Sequence, residues 1–345
     1  MKKSRLLKIV PWLLAAGLLI WVLRAVPLAD TWDALRQLRW HQMLLLILLN
    51  VLILIMLNGR WWIILRGHGR HISFFSLMGY RTATFGVSYF TPGPHFGGEP
   101  LQVYLVEHEQ GTPRVTAVAA MSLDKSLELL VNFSFLLIGV VIILQQRTLG
   151  GSVRTEAALV IAALLLFPIG YLLAIWANHT PLSWLANTCL RLPIWQRKPS
   201  WRSRFRRAQQ TIYASEKETS HFFRRAPLAL LLALLFSIAS WLLMIGEFWL
   251  MISFLGMLLS PVQLITALTA ARIAILLLLP AGIGALEASQ AMAFGAMGLN
   301  PGLGISASLL IRGRDVILGS IGLWWASRKL AHRRTIKQVE GGKNT

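Results

Sequence analysis

The chain has one cysteine, Cys189, in 345 residues, which excludes an intrachain disulfide and any cysteine-rich metal site. Charge is also scarce: Asp, Glu, Lys and Arg make up 14% of the residues, and only 14 residues are acidic. A soluble domain of this length carries far more charge on its surface. Enzyme signatures are missing as well, with no phosphate loop and no nucleophile elbow. His68 and His71 stand three apart in an arginine-flanked turn without an acidic or cysteine partner, so no metal or other cofactor is expected.

What fills the chain is hydrocarbon. Hydrophobic residues make up 55% of it, with 14 Trp and a mean hydropathy of +0.59, the composition of an all-α polytopic membrane protein. The formal charge of +20 invites a nucleic-acid reading, but the basic residues are grouped rather than spread. Lys2, Lys3, Arg5 and Lys8 form one group, ten bases between Arg191 and Arg225 a second, and six between Arg328 and Lys343 a third. Grouping of this kind follows the positive-inside rule, placing all three segments and both termini in the cytoplasm. Nucleic acid is not an expected partner.

In chain order, residues 1–41 read as an uncleaved first span, Ile9 to Leu23, followed by an amphipathic stretch from Pro27 to His41. Residues 42–145 hold a span from Met43 to Leu65 interrupted by Asn50, Asn58 and Arg60. A shorter stretch from Ser73 to Phe90 carries Arg81, and a long helix from Val115 to Leu144 carries Asp124, Lys125 and Glu128. Residues 146–226 give a span from Ala157 to Trp176, then a basic segment whose aromatics alternate with arginines, suited to an amphipathic helix on the cytoplasmic surface. Residues 227–327 repeat the first pattern: Leu228 to Phe254 with Glu247, Val262 to Leu279 with Arg272, and Leu303 to Ala326 with Arg312, Arg314 and Asp315. Residues 328–345 are a basic tail.

Two breaks organise this pattern. TPGPHFGGEP, with Pro92, Gly93, Gly97, Gly98 and Glu99, cannot continue a helix, and neither can LPAGIGALE, with Pro280, Gly282, Gly284 and Glu287. Pro92 and Pro280 are 188 residues apart, as are Glu99 and Glu287, and the same spacing carries the flanking spans onto one another. The basic loops give the two copies opposite orientations. The expected architecture is therefore two inverted repeats, about six full spans and two re-entrant helical hairpins. Irregular backbone at membrane depth survives only where protein or water satisfies it, so the breaks should line a polar cavity.

The candidate binding residues are the charges that such a cavity would gather: Arg81, Lys125, Arg272, Arg312 and Arg314, with Glu99, Asp124, Glu128, Glu287 and Asp315. Guanidinium groups grip phosphate with two parallel bonds, and the carboxylates orient them or carry a proton. The spacing leaves another arrangement open, since Asp124 and Glu128 stand four apart on one helix, and Arg312 and Asp315, three apart on another, can satisfy each other. Paired Glu99 and Glu287 also suit general acid and base work in an intramembrane transferase, which is the alternative to a transporter. A scaffold for a separately encoded lipid-modifying enzyme is a third reading.

At the breaks, and at DKSLE and RGRD beyond them, the chain resembles the transmembrane region of the lysylphosphatidylglycerol synthases, a flippase-like family, over roughly Leu7 to Arg328. The resemblance implies a bacterial inner-membrane protein that moves an anionic lipid head group, of a phospholipid or a polyprenyl-phosphate carrier, between leaflets. Only about twenty residues follow Ala326, so the soluble synthase domain of full-length relatives is not expected here, nor is enzymatic aminoacyl transfer.

Overall fold

The computed structural model of the protein describes residues 36, 38–91, 97–145, 151–190, 199–276 and 284–342. Every regular element among them is a helix: α1 (Trp40–Gly67), α2 (Phe74–Phe90), α3 (Glu99–Glu109), α4 (Arg114–Gln145), α5 (Gly151–Trp176), α6 (Pro181–Leu190), α7 (Pro199–Arg225), α8 (Pro227–Phe254), α9 (Pro261–Leu276), α10 (Ala285–Ala296) and α11 (Pro301–Gly342). Five of them open on proline, at the first helical position, where a missing N–H leaves no bond unmade. The expected first span at Ile9 to Leu23 lies outside the described residues, as do Pro92, Gly93, Pro280 and Gly282.

Length and apolar composition together decide which helices can cross a bilayer. α1, α4 and α8 have 28, 32 and 28 residues, or about 42 to 48 Å at about 1.5 Å per residue, against a hydrocarbon core of about 30 Å. These three are long and apolar enough to span a membrane, and a fourth is added if Ala162–Trp176 and Pro181–Leu190, bent by 101°, count as one. A helix satisfies its backbone internally, which is the condition hydrocarbon imposes. α2, with 17 residues, is shorter than the core at about 26 Å.

The chain forms two compact units. One comprises residues 1–49, 78–102 and 245–345. Within it α2 and α11 approach backbone to backbone: a Cβ on Gly86 would meet the Leu323 nitrogen at 2.8 Å, and one on Gly322 would meet the Thr82 carbonyl oxygen. Only glycine allows that crossing. Leu38, Met251 and Leu310 pack together in the same unit. The other unit comprises residues 50–77 and 103–244. There the Asn58 side chain donates from Nδ2 to the Phe74 carbonyl at 2.9 Å, and the Ser215 hydroxyl donates to the Val115 carbonyl at 3.0 Å, tying α1 to α2 and α7 to α4.

Candidate functional site

The two breaks end in related local contacts, with the glycine two residues before Glu99 in one and three before Glu287 in the other. Gly97, at φ 142°, and Gly284, at φ 78°, both occupy backbone conformations that disfavour other residues. Each offers its N–H to the glutamate that follows: Glu99 Oε2 accepts from Gly97 at 2.7 Å and Glu287 Oε2 from Gly284 at 3.0 Å. Each glutamate thus holds the first turn of its helix and adds negative charge where the helix dipole favours it. Gly98 lies tight against α2, its N–H bonded to the Ser88 hydroxyl at 3.0 Å and its missing side chain leaving room for the Thr84 carbonyl.

Glu287 does more than cap. Its two oxygens also accept from Arg312 on α11, Nε to Oε1 at 2.6 Å and Nη2 to Oε2 at 2.8 Å, a bidentate pair with the guanidinium 1% exposed and the carboxylate 20%. Two residues on, Arg314 Nη1 lies 2.6 and 2.7 Å from the oxygens of Glu247 on α8, and its Nε donates to Asp315 Oδ1 at 2.8 Å. Arg314 is the most exposed member, at 28%. Tyr89, buried near the end of α2, lies within electrostatic reach of Asp315, Arg312, Glu287 and Arg314. This unit therefore contains two groups of opposed charges, Glu287–Arg312 and Glu247–Arg314–Asp315. Burial makes each pair strongly dependent on its partner, since removing one member leaves an uncompensated charge in a medium that solvates it poorly.

The second unit holds its own cluster. Arg60 on α1 donates from Nε to Asp124 Oδ1 at 2.6 Å, from Nη2 to Glu128 Oε2 at 3.2 Å and from Nη1 to the Ser237 hydroxyl at 3.4 Å. Lys125 completes it with a 2.9 Å bond to Glu128 Oε1. Two cations and two carboxylates balance, and the Arg60–Asp124 bond is sealed from solvent.

Of the ten predicted binding residues, Glu287, Arg312, Arg314 and Asp315 fall in the first cluster and Asp124, Lys125 and Glu128 in the second. Glu99 is held at its own break. Arg81 and Arg272 are half-buried on α2 and α9. The helical neighbours are partnered as follows: Asp124 and Glu128 share Arg60, and Arg312 takes Glu287 rather than Asp315, which takes Arg314. Arg60 and Glu247, which join these clusters, are not among the ten predicted residues. Each is a lone charge in an apolar span, and that was the available signal.

The sequence model of one family, the lysylphosphatidylglycerol synthase TM region, matches residues 8–322. The chain belongs to that family. As a member of it the chain is a membrane protein related to lipid handling, and the match takes in both breaks and both charge clusters. Comparison with curated proteins found no match, nor did comparison with solved structures.

Proposed function

We propose that this lysylphosphatidylglycerol synthase TM-region protein moves a lipid with an anionic head group across the membrane, without making or breaking covalent bonds in it. The observation that carries the reading is the buried bidentate Glu287–Arg312 pair at the end of a helix break, beside the partly exposed Arg314. A guanidinium pre-aimed by carboxylates keeps donors fixed for a phosphate, while the acids keep the site near neutrality when it is empty. The setting is the inner membrane of a bacterium with both termini cytoplasmic, which rests on the basic segments and the family's lipid relationship.

The same reading takes the chain as two inverted repeats with six full crossings and two re-entrant hairpins. Helix spacing supports a repeat: Trp40 and Pro227, Phe74 and Pro261, Glu99 and Ala285, Arg114 and Pro301 open corresponding helices, each pair 186 or 187 residues apart. The two glutamates, each held by a preceding glycine N–H, support it as well, although the glycine stands two residues ahead in one copy and three in the other. Sites at the junction of such broken helices are how secondary transporters present polar groups to a substrate in the bilayer.

The test is head-group exposure in vesicles reconstituted with the purified protein. Glu287→Gln keeps the shape but removes the charge that aims Arg312, and transport should fall about tenfold or more, since about 1.4 kcal/mol of lost coupling already gives that factor. Normal transport by folded Glu287→Gln protein overturns the site. A chemically altered lipid that vanishes with the variant points instead to an intramembrane transferase, and a phenotype that survives the substitution in cells points to a scaffold for a separately encoded lipid-modifying enzyme.

A further inference from the structure

The corner between α5 and α6 is built with more care than a connecting loop requires. α5 has 26 residues, about 39 Å, and is by itself long enough to cross a hydrocarbon core. After it the chain turns by 101° into α6, which has only 10 residues. Asn178 sits at the corner with φ 64°, a conformation that asparagine tolerates better than most residues. α7 holds the corner through three residues, Glu216, Lys217 and Ser220. Glu216, buried, accepts the first free N–H groups of α6, from Leu182 at 2.8 Å and Ser183 at 3.0 Å. Lys217 Nζ donates to the Asn178 side-chain oxygen at 3.1 Å and to its carbonyl at 3.3 Å, and the Ser220 hydroxyl donates to the same side chain at 3.3 Å.

The outward faces of this elbow differ in chemistry. α6 has no charged residue, and it exposes Trp184, at 66%, and Leu185, with Trp176 exposed at the corner just before it. α7 buries Ser215, Glu216, Thr219 and Ser220 and the Phe222 and Phe223 rings but exposes Arg204, Arg206 and Arg207 in its first turns and Arg224 and Arg225 in its last. An uncharged helix with an exposed Trp and Leu, pinned at a right angle to a span and stapled to an arginine-rich helix, matches one environment. That is the head-group layer of an anionic bilayer, where an indole rests at the interface and guanidinium groups meet phosphates.

We propose that the α6–α7 elbow is an anionic-lipid docking surface, with α6 lying in the plane of the membrane interface and Arg204, Arg206 and Arg207 contacting lipid phosphates. α6 is then neither the second half of a span nor a re-entrant segment. Charge complementarity selects the occupant, because the exposed bases of α7 find no equivalent in a neutral lipid surface. The Glu216 and Lys217 contacts fix the angle between α6 and the transmembrane helix, so the surface is pre-shaped and loses little freedom on contact.

Cys189, the single cysteine of the chain, is exposed on α6 and serves as the probe position. The full-length protein is labelled there with an environment-sensitive fluorophore and reconstituted into vesicles of phosphatidylcholine with or without phosphatidylglycerol. Quenching is then measured with nitroxides carried on the lipid head group or at mid-chain, and with aqueous iodide. The expected result is stronger quenching by the head-group nitroxide than by the mid-chain one. Phosphatidylglycerol should raise that head-group quenching by roughly twofold or more, and high salt should reverse the gain. Arg204→Gln, Arg206→Gln and Arg207→Gln together should bring it to the phosphatidylcholine level. Dominant mid-chain quenching means that α6 inserts and overturns the in-plane assignment. Iodide quenching that is the same in both vesicle types means that the elbow stands in water and overturns the docking surface. Insensitivity of the wild type to salt and to phosphatidylglycerol does the same without recourse to any variant.

Discussion

His68 shows how little of a titratable residue's behaviour is visible in its sequence neighbours. The turn RGHGRH looks like a solvated basic loop, yet the His68 ring is stacked on Phe222 of α7 with centroids 4.6 Å apart. Its Nδ1 lies 2.8 Å from the Ile64 carbonyl, an acceptor, so Nδ1 carries the proton and donates. Burial pushes its pKa below the ordinary 6.5, against the smaller opposing effects of that carbonyl and the Glu218 charge. A histidine lowered in the folded state favours folding above its unfolded value, and that contribution is lost as pH falls through the folded one. Thermal unfolding in detergent should therefore show the wild type losing stability between about pH 7 and pH 5. His68→Phe, which keeps the stacking without the proton, should lose less over the same interval, and equal losses in both proteins would remove His68 as the cause. The charged site was legible in part for a related reason. Glu287 and Arg312 stand out as charges in apolar sequence, but the partner of each charge comes from a helix dozens of residues away, and local spacing carries no information about it.

Among the elements, the long spans were the most legible. The run expected from Val115 to Leu144 is the helix Arg114–Gln145, and that from Leu228 to Phe254 is Pro227–Phe254. Continuous hydrocarbon between polar ends leaves one solution in a bilayer, which is why the sequence defines those limits so closely. The basic segment expected as one amphipathic unit from Ala177 to Ala226 is instead two helices, α6 and α7, each opened by a proline. Its amphipathic pattern is strong in α7, but the right-angle corner depends on Glu216 and Lys217 reaching back over thirty residues, which no local pattern reports. The α2–α11 crossing was equally hidden, because Gly86 and Gly322 look like ordinary span glycines until the two helices meet. Gly322→Ala places a methyl group against the Thr82 carbonyl, and neither partner is the flexible end of a side chain. The backbones must separate, at a cost of about 1–3 kcal/mol. A lowered unfolding temperature in Gly322→Ala, with a smaller change in Gly170→Ala, whose Cβ would meet nothing within 4 Å, is the expected pattern. Equal effects at the two positions would mean that the crossing contributes no more than helix propensity does.

At the scale of the whole molecule, each proposed repeat joins its first helix to its fourth by a charge pair, sealed in the first and part-exposed at Arg314 in the second, and the signs are exchanged. In the first, Arg60 of α1 meets Asp124 of α4; in the second, Glu247 of α8 meets Arg314 of α11. Arg60 and Glu247 are 187 residues apart, the spacing of the helices that carry them, so that position bears a cation in one copy and an anion in the other, while their partners Asp124 and Arg314, 190 apart, fall about one helical turn out of that register. What corresponds between the copies is the bond rather than the residue type, which is why aligning like residues finds the paired glutamates but passes over this pair. If the position requires only a buried pair of either sign, then exchanging the charges of the first repeat recreates the arrangement of the second. Arg60→Asp alone removes the guanidinium that Asp124 and Glu128 share and adds a third carboxylate, with Lys125 still paired to Glu128, and Asp124→Arg alone opposes Arg60. Either should cost about 3–5 kcal/mol and lower the yield of folded protein. Arg60→Asp combined with Asp124→Arg should recover at least half of the loss, because the new guanidinium at 124 faces the new carboxylate and has Glu128 one turn along its own helix. Stability of the four proteins in one detergent gives the interaction energy directly as a double-mutant cycle. Additive losses would mean that Arg60 is held by something specific to this repeat, such as the Ser237 hydroxyl, and the correspondence between the two charge pairs would then be a coincidence of spacing.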